Sequence, residues 1–441
     1  MDYTKIKIGV ISLGCDKNRV DTEKLLGIIT KKSQLTDNLN DANVVVINTC
    51  AFLQSAREES IENILDVHSL RTNGNLQKIV VTGCLPQKYV GDIFDDFVEV
   101  DVFLGISDYD RFFEALDIAF QGKRVNLVGG GDRETDSKRV LSTPKSYAYL
   151  KIADGCNNFC TYCLIPKIRG RYRSVEMQTL VEEAANLGEL QELILVAQDI
   201  TRYGEDLYGK PCLVKLIKEL SQLQNIKGIR LLYAYPDKLT DEIIDEIATN
   251  PKVIKYLDMP LQHASDTLLK RMNRRGTMQS YLQLIQKLKS KVNGISLRST
   301  FIAGFPGESE KEFEELLQFI KVAKLTNAGF FAYSREEDTP AYKMEGQIDE
   351  KVKLRRVKRL YTAQKNNSKN FLKGFVGKVI EVVCDGFDSQ SLAYKCRAYF
   401  NAPDIDGCVY LLADKEVAVG QRLQVLVTGA DDYDLYAKLN D

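Results

Sequence analysis

Histidine is scarce in this chain. Among 441 residues, only His68 and His263 carry an imidazole. Catalysis that relies on histidine, either as a general acid or base or in a catalytic triad, could therefore use only these two residues. If the chain is an enzyme, its chemistry has to come largely from a cofactor.

Long apolar runs and an export signal are also missing. No stretch approaches the roughly 18 uninterrupted apolar residues of a membrane span, and the start MDYTKIKIGV lacks the charged-then-apolar layout of a signal peptide. We therefore expect a cytoplasmic protein without a membrane partner. Cytosolic thiols are kept reduced, so the ten cysteines do not predict a disulfide framework, and ligation is the better interpretation of the clustered ones.

Three cysteines are clustered as Cys156, Cys160 and Cys163. The spacing C-x3-C-x2-C suits three thiolate ligands of a 4Fe-4S cluster whose fourth iron stays open to a substrate or cofactor. A structural zinc ion would need a fourth Cys or His to close its tetrahedron, and none occurs between Gly155 and Arg173. We favour iron–sulfur ligation over zinc or a coincidence of buried thiols.

The N-terminal part predicts strands and helices in alternation. Three apolar, strand-like runs are each followed within a few residues by a cysteine, namely Cys15, Cys50 and Cys84. Intervals of about 35 residues suit βαβ crossovers, and ligands collect at the carboxyl ends of parallel strands. The three thiols are thus predicted to share a crevice and to hold a second cluster. The alternative is that they are ordinary buried cysteines of an α/β core.

From residue 147 onward, six further strand-like runs alternate with amphipathic helices. Six parallel strands fit an incomplete (β/α)6 barrel, whose working residues lie at strand ends. The C-x3-C-x2-C run follows the first of these strands. The predicted strands are residues 147–152, 193–197, 229–233, 256–261, 296–303 and 329–333.

The last part of the chain, residues 375–439, alternates short β-branched runs with turn signals such as Asp385-Gly386. This pattern predicts a small antiparallel β-barrel of about five strands. A polar linker is predicted around residues 129–138. The fold class is therefore α/β with three domains, 1–138, 139–373 and 374–441.

Charge is distributed unevenly around the predicted barrel. Residues 374–441 carry 6 Lys and Arg against 11 Asp and Glu, a net charge of -5, whereas residues 349–373 carry 9 basic against 2 acidic residues. The basic stretch predicts a helix. It is either a solvated helix face or a contact strip for RNA, including rRNA, or for an acidic surface.

With these features the chain resembles the radical S-adenosylmethionine (SAM) methylthiotransferases over essentially its whole length. The resemblance is carried by the C-x3-C-x2-C run, by SLGCDKN (residues 12–18), by NTC (48–50) and by TGC (82–84). In that family the three N-terminal cysteines hold an auxiliary 4Fe-4S cluster, and the C-terminal barrel is a TRAM domain. The resemblance thus implies metal ligation by Cys15, Cys50, Cys84, Cys156, Cys160 and Cys163.

Within the family, VAQDITRYGEDLYG, LQHASD and RMNRRGT resemble the ribosomal-protein branch (RimO-type) more than the tRNA branch (MiaB-type). The RimO-type branch methylthiolates the β-carbon of one aspartate in small-ribosomal-subunit protein twelve. The implied reaction uses two SAM molecules, one as methyl donor and one as the source of a 5'-deoxyadenosyl radical. It also needs an electron donor. An acidic barrel fits a Lys- and Arg-rich protein better than it fits tRNA phosphates.

The resemblance also implies SAM contacts outside the cysteines. Tyr162 matches the position beside the adenine ring, although it could equally be loop packing, and Gln198 and Asp199 match the place that binds the methionyl amine. No catalytic acid or base is assigned, and His263 is expected to be positional. The rivals are the tRNA methylthiotransferase reaction, a non-catalytic zinc-bearing RNA-binding protein with a TRAM tail, and an enzyme with one SAM cluster and inert N-terminal cysteines.

Overall fold

The computed structural model describes residues 2–130 and 138–440. The chain divides into two units. The first contains residues 1–142, 154–157 and 164–171, and the second contains residues 143–153, 158–163 and 172–441. Of the predicted linker, only Gly129, Gly130 and Lys138 fall within the described residues.

The first unit is built on a six-stranded, all-parallel sheet with the order β2-β1-β3-β4-β5-β6. The predicted βαβ crossovers therefore exist, and the three strands that precede cysteines are neighbours. The strands are β1 Lys7–Ser12, β2 Gln34–Leu35, β3 Val44–Thr49, β4 Lys78–Gly83, β5 Val102–Leu104 and β6 Val125–Leu127.

Helices cover both faces of this sheet. They are α1 Asp16–Ile29, α2 Gln54–Asn73, α3 Cys84–Ile93, α4 Phe112–Phe120 and α5 Ile165–Ile168, with 3-10 turns at Leu39–Asp41 and Tyr109–Arg111. Along β3, Val44 and Val46 pack with α1 and α4, whereas Val45 and Ile47 pack with α2, α3 and α5. Because both faces are buried, the strands are continuous apolar runs without alternation.

The second unit contains another six-stranded parallel sheet, with the order β14-β13-β12-β11-β10-β7. Its strands follow one another in sequence, as an incomplete barrel requires. All six predicted strands are present, with bounds shifted by up to three residues. The strands of this region are β7 Tyr147–Lys151, β8 Ala153–Asp154, β9 Arg173–Ser174, β10 Glu192–Val196, β11 Ile229–Leu231, β12 Val253–Asp258, β13 Ser296–Ala303 and β14 Asn327–Ala332.

Amphipathic helices alternate with these strands. Two of them begin with a complete capping box, α11 at Thr277 and α12 at Ser309. The helices are α6 Met177–Ala185, α7 Glu205–Tyr208, α8 Leu213–Ser221, α9 Asp241–Thr249, α10 Asp266–Arg271, α11 Met278–Lys291, α12 Glu310–Ala323 and α13 Glu350–Lys373, with 3-10 turns at Ile200–Arg202, Pro236–Lys238 and Pro340–Lys343.

A closed five-stranded barrel with the order β15-β16-β17-β19-β18 ends the second unit. Four of its pairings are antiparallel, but β17 and β19 are parallel. The small five-stranded barrel predicted from the sequence is confirmed, and its parallel pair arises because β18 pairs with β15 and β19 and not with β17. The strands are β15 Val379–Asp388, β16 Ala393–Arg397, β17 Val409–Leu412, β18 Arg422–Ala430 and β19 Leu435–Leu439.

The barrel rests against the parallel sheet through buried ion pairs. Glu192 at the start of β10 accepts hydrogen bonds from Arg230 of β11 at 2.5 Å and from Arg397 of β16 at 2.8 Å. Arg397 also donates to Asp385 at 2.5 Å. Glu192 lies at the amino-terminal end of β10, so the contact is made at that end of the sheet. Among the described residues, no helix is both long and apolar enough to cross a membrane.

Candidate active site

Cys15, Cys50 and Cys84 lie at one edge of the first unit's sheet. Cys15 caps the amino terminus of α1 after β1, Cys50 directly follows β3, and Cys84 begins α3 after β4. Because β1, β3 and β4 are adjacent and parallel, their carboxyl ends share this edge. The fold therefore brings the three cysteines to one edge of the sheet, as strand order requires.

The three thiols are close enough to influence one another. Burial raises the pKa of Cys50, and together with the neighbouring Cys84 and Cys15 it brings the value to about 12. Burial likewise raises the pKa of Cys84, against the opposing effect of Arg169. Thiols in such surroundings stay protonated until a metal or a cation stabilises the thiolate.

Asn18 connects the three segments that carry these cysteines, a role that the sequence analysis did not identify. Its Nδ2 donates to the carbonyl oxygens of Leu13 at 3.1 Å and of Thr49 at 3.0 Å, which fixes the loops that carry Cys15 and Cys50. The thiol of Cys84 lies 3.6 Å from its Oδ1. The signal was present in the sequence as the polar end of SLGCDKN, but only the fold shows that Asn18 spans three loops.

Arg169 is the second residue that the sequence analysis missed. Its guanidinium is buried and donates to Asp21 at 2.7 Å, to Asp154 at 3.1 Å, and to the Oδ1 of Asn18. It also lies 3.6 Å from the Sγ of Cys84. A fixed positive charge beside this sulfur favours its thiolate form.

Cys156 belongs to the first unit, and Cys160 and Cys163 belong to the second. The backbone N–H of Cys156 donates to the carbonyl of Gly170 at 3.1 Å. In the second unit, the N–H of Cys163 donates to the carbonyl of Cys160 at 3.1 Å. Phe159, with φ near 49°, makes the sharp turn before Cys160.

Tyr162 packs against a buried cluster of Leu268, Met272, Phe305 and Tyr333. Burial raises the pKa of its phenol well above the usual value, so it remains protonated. Its ring is therefore a fixed apolar surface beside the cysteine loop. Such a surface fits an adenine contact and also fits loop packing, the two interpretations that the sequence left open.

Gln198 and Asp199 follow β10, at the carboxyl edge of the parallel sheet. The buried carboxylate of Asp199 accepts from the N–H of Thr201 at 3.0 Å and from Asn158 Nδ2 at 3.0 Å. Burial raises the pKa of Asp199, although these hydrogen bonds oppose the shift. Asp199 thus holds Asn158, which lies between Cys156 and Cys160.

His263 is buried and neutral. Its Nδ1 accepts from the N–H of Ser265 at 2.9 Å, and burial lowers its pKa to about 3. Its Nε2 lies 3.8 Å from Glu308, whose carboxylate accepts from the N–H groups of Gly304 and Phe305 and from Arg356. These contacts support the positional role expected for His263.

Helix α13 is the basic helix predicted from the sequence, and several of its cations form ion pairs within the unit. Lys353 and Arg356 are buried against Tyr333 and Glu308. Arg359 contacts Glu310 and Glu314, and Lys365 and Lys369 contact Asp432 of the barrel. Through these contacts the helix links the parallel sheet of the second unit to the C-terminal barrel. Besides Lys365, its exposed cations are Lys351, Arg355, Lys358 and Lys373.

Within residues 2–130 and 138–440, no group of three or more His, Cys, Asp or Glu side chains is gathered so as to hold a metal ion. A four-iron cluster binds each thiolate through a different iron, so its cysteines stand further apart than the ligands of a single ion. The donor chemistry fits such a cluster, because each set offers three cysteines and no imidazole. Gly14 supports this fit, since a Cβ there would lie 3.0 Å from the Cys50 Sγ.

Comparison with known proteins places the chain in a family. Residues 7–105 match the uncharacterized protein family UPF0004, residues 150–320 match the radical SAM superfamily, and residues 376–439 match the TRAM domain. Among solved structures, a radical SAM methyltransferase, TsrM from Kitasatospora setae, shares the fold with a TM-score of 0.56 at 13% identity, covering 77% of this chain and 74% of that one.

Curated relatives align with this chain over nearly its full length. The chain is 43% identical to the ribosomal protein uS12 methylthiotransferase RimO of Clostridium botulinum (strain Eklund 17B / Type B), covering 99% of both. It is 44% identical to the RimO of Clostridium kluyveri, again covering 99% of both. The chain therefore belongs to the RimO family of radical SAM methylthiotransferases.

Proposed function

We propose that this protein methylthiolates the β-carbon of an aspartate residue in ribosomal protein uS12, using two SAM molecules and two 4Fe-4S clusters. The observation that carries the proposal is the presence of two separate three-cysteine sets in a chain of this family. Cys156, Cys160 and Cys163 hold the cluster that binds SAM. Cys15, Cys50 and Cys84 hold the auxiliary cluster.

The clusters supply what the side chains lack. The β C–H bond of an aspartate is too weakly acidic for any base in this chain, and SAM bound at the first cluster would supply the radical chemistry that breaks it. The protein would contribute fixed surfaces around SAM, with Tyr162 as the contact for the adenine ring and Gln198 and Asp199 as the contacts for the methionyl amine. His263 is neutral and fixed at Ser265, and it transfers no proton.

The substrate assignment has support from charge. The C-terminal barrel, residues 374–441, carries a net charge of -5. A protein that binds RNA must neutralise phosphates with basic side chains, whereas an acidic surface attracts a basic ribosomal protein. The exposed cations of α13 are available for rRNA when the substrate lies within a ribosomal particle. We assign domains 1–138, 139–373 and 374–441 to the auxiliary cluster, the SAM cluster and substrate contact.

The test compares two substrates. Anaerobically reconstituted protein is incubated with SAM, a reductant, inorganic sulfide as the sulfur source and either uS12 or tRNA. We expect a methylthio-sized mass gain on uS12, together with 5'-deoxyadenosine, methionine and S-adenosylhomocysteine. Modification of tRNA and not of uS12 would favour the tRNA reaction, and a colourless, zinc-loaded protein would exclude an enzyme of this class.

A variant pair tests the auxiliary set. Cys50→Ala should still cleave SAM to 5'-deoxyadenosine but should transfer no sulfur. Cys212→Ala, which removes a buried thiol at the start of α8, is the matched control and should retain both activities. Sulfur transfer by Cys50→Ala would show that the N-terminal cysteines are inert.

A further inference from the structure

Two side chains outside the cysteine run contact the sulfur of Cys160. The hydroxyl of Tyr235 lies 2.7 Å from the Cys160 Sγ. Nη1 of Arg274 lies 3.9 Å from the same sulfur. Nothing in the proposed function makes use of either contact.

Arg274 and Tyr235 are locked together. The guanidinium carbon of Arg274 stands 3.7 Å from the centre of the Tyr235 ring, and its Nη2 donates to the carbonyl of Pro260. Arg274 is 5% exposed and Tyr235 is 8% exposed. A buried guanidinium stacked on a ring and bound at one edge has little freedom to leave the sulfur.

The backbone ties the cysteine loop to the same segment. The N–H of Thr161 donates to the carbonyl of Met272 at 3.1 Å, and its hydroxyl donates to the carbonyl of Arg271 at 2.8 Å. The residue after Cys160 is thus attached to the two residues that lead to Arg274. The motif RMNRRGT, residues 271–277, therefore fixes both the loop and the cation that faces it.

We propose that Tyr235 and Arg274 are positioning residues that set the reduction potential of the cluster held at Cys160. The inference rests on the proposed function, because it requires that cluster. A thiolate has no proton to give, so the Tyr235 hydroxyl donates to it, and Arg274 adds positive charge. Hydrogen bonds to cluster sulfurs and nearby charge shift cluster potentials. Both contacts favour the reduced state of the cluster, which is the more negative one, and so raise its reduction potential.

The measurement is an EPR-monitored redox titration of the holoenzyme. The signal that changes when SAM is added identifies the cluster at Cys156, Cys160 and Cys163, and iron content is measured on the same samples. Tyr235→Phe removes only the hydroxyl, and Arg274→Gln removes the charge. Tyr203→Phe is the matched control, since this buried hydroxyl donates to the carbonyl of Val175 and touches no cluster cysteine.

We expect Tyr235→Phe to lower the reduction equilibrium constant about tenfold, which corresponds to roughly 59 mV for one electron. Arg274→Gln should shift the potential in the same direction, and Tyr203→Phe should leave it unchanged. If one variant loses its iron, the reduction potential of the other variant decides the test.

Unchanged potentials in the iron-bearing variants would overturn the inference while leaving the proposed function intact. Unaltered protein without a SAM-responsive cluster would instead overturn the proposed function.

Discussion

The guanidinium of Arg169 lies 3.6 Å from the Sγ of Cys84, although the two residues are 85 positions apart in sequence. The same guanidinium is paired with Asp21 and Asp154 and is almost fully buried. Arg169 follows the C-x3-C-x2-C run by only a few residues. The segment that leaves one cysteine set thus provides the cation for a cysteine of the other set.

Replacing Arg169 should disable the auxiliary site. Arg169→Gln leaves two carboxylates without their cation, and breaking a buried pair of this kind costs about 3–5 kcal/mol. We expect lower stability toward urea and a fall in iron from about eight to about four atoms per chain. Arg171→Gln, an exposed change two residues away, is the control. Full iron in Arg169→Gln would show that the contact with Cys84 is incidental.

Gly83 should not tolerate a side chain. Its φ is +95°, and a Cβ would lie 2.4 Å from the carbonyl oxygen of Thr49 and 2.7 Å from its nitrogen. Alanine in this conformation is strained and would displace Cys84, the next residue. We expect Gly83→Ala to lose the auxiliary cluster, as measured by iron content and visible absorption.

Gly91, inside helix α3, which begins directly after Gly83, provides the opposite expectation. It has open space around its Cα and an ordinary φ. Alanine is favoured over glycine by about 0.5–1 kcal/mol inside a helix, so Gly91→Ala should raise the melting temperature slightly and keep all iron. Equal behaviour of the two variants would contradict the backbone argument.

The two parallel sheets and the placement of the cysteines at strand ends could be predicted from the sequence, because both depend on local sequence patterns. Buried parallel strands are short apolar runs, and the edge shared by Cys15, Cys50 and Cys84 follows from strand ends and interval lengths alone. The partners of these cysteines could not be predicted in this way. Asn18, Arg169, Tyr235 and Arg274 are ordinary loop or helix residues until the fold brings them beside a sulfur.

The C-terminal barrel shows the same limit. Turn signals in the sequence predicted the strands of the barrel. The parallel pairing of β17 with β19 depends on which strands β18 pairs with, and no local sequence pattern indicates that. The charge of α13 was visible in the sequence, whereas the use of Arg356 and Lys353 in buried contacts was not. Charge counts locate a surface but do not show which charges are already paired.

The acidic barrel should act mainly on the rate of substrate encounter. Asp414 and Glu416 are exposed near its rim. Asp414→Lys combined with Glu416→Lys should lower kcat/KM for uS12 by about three- to tenfold at low salt, and the loss should shrink as salt screens the charges. Glu219→Lys with Glu242→Lys, on α8 and α9, makes the same charge change elsewhere. Equal losses in both variants would show that net charge matters and the barrel surface does not.

Glu192 should make the junction between sheet and barrel sensitive to acid. Burial alone would raise the pKa of Glu192, but Arg230 and Arg397 overcome this effect and lower it from 4.5 to about 2. A carboxylate with a depressed pKa stabilises the fold above its unfolded value, and this stabilisation is lost as pH falls through the folded value. Between pH 4.5 and 2 the loss amounts to about 3 kcal/mol at 1.36 kcal/mol per unit.

Glu192→Gln should remove this acid dependence. The variant also leaves two buried guanidiniums without their carboxylate, so it should be less stable at pH 7 by about 3–5 kcal/mol. Urea unfolding of cluster-free protein at pH 7 and pH 3 measures both effects. Glu189→Gln, whose exposed carboxylate lies 3.4 Å from Lys227, should change stability by less than about 1 kcal/mol. An equal acid loss in Glu192→Gln and in the unaltered chain would mean that other carboxylates control the acid transition.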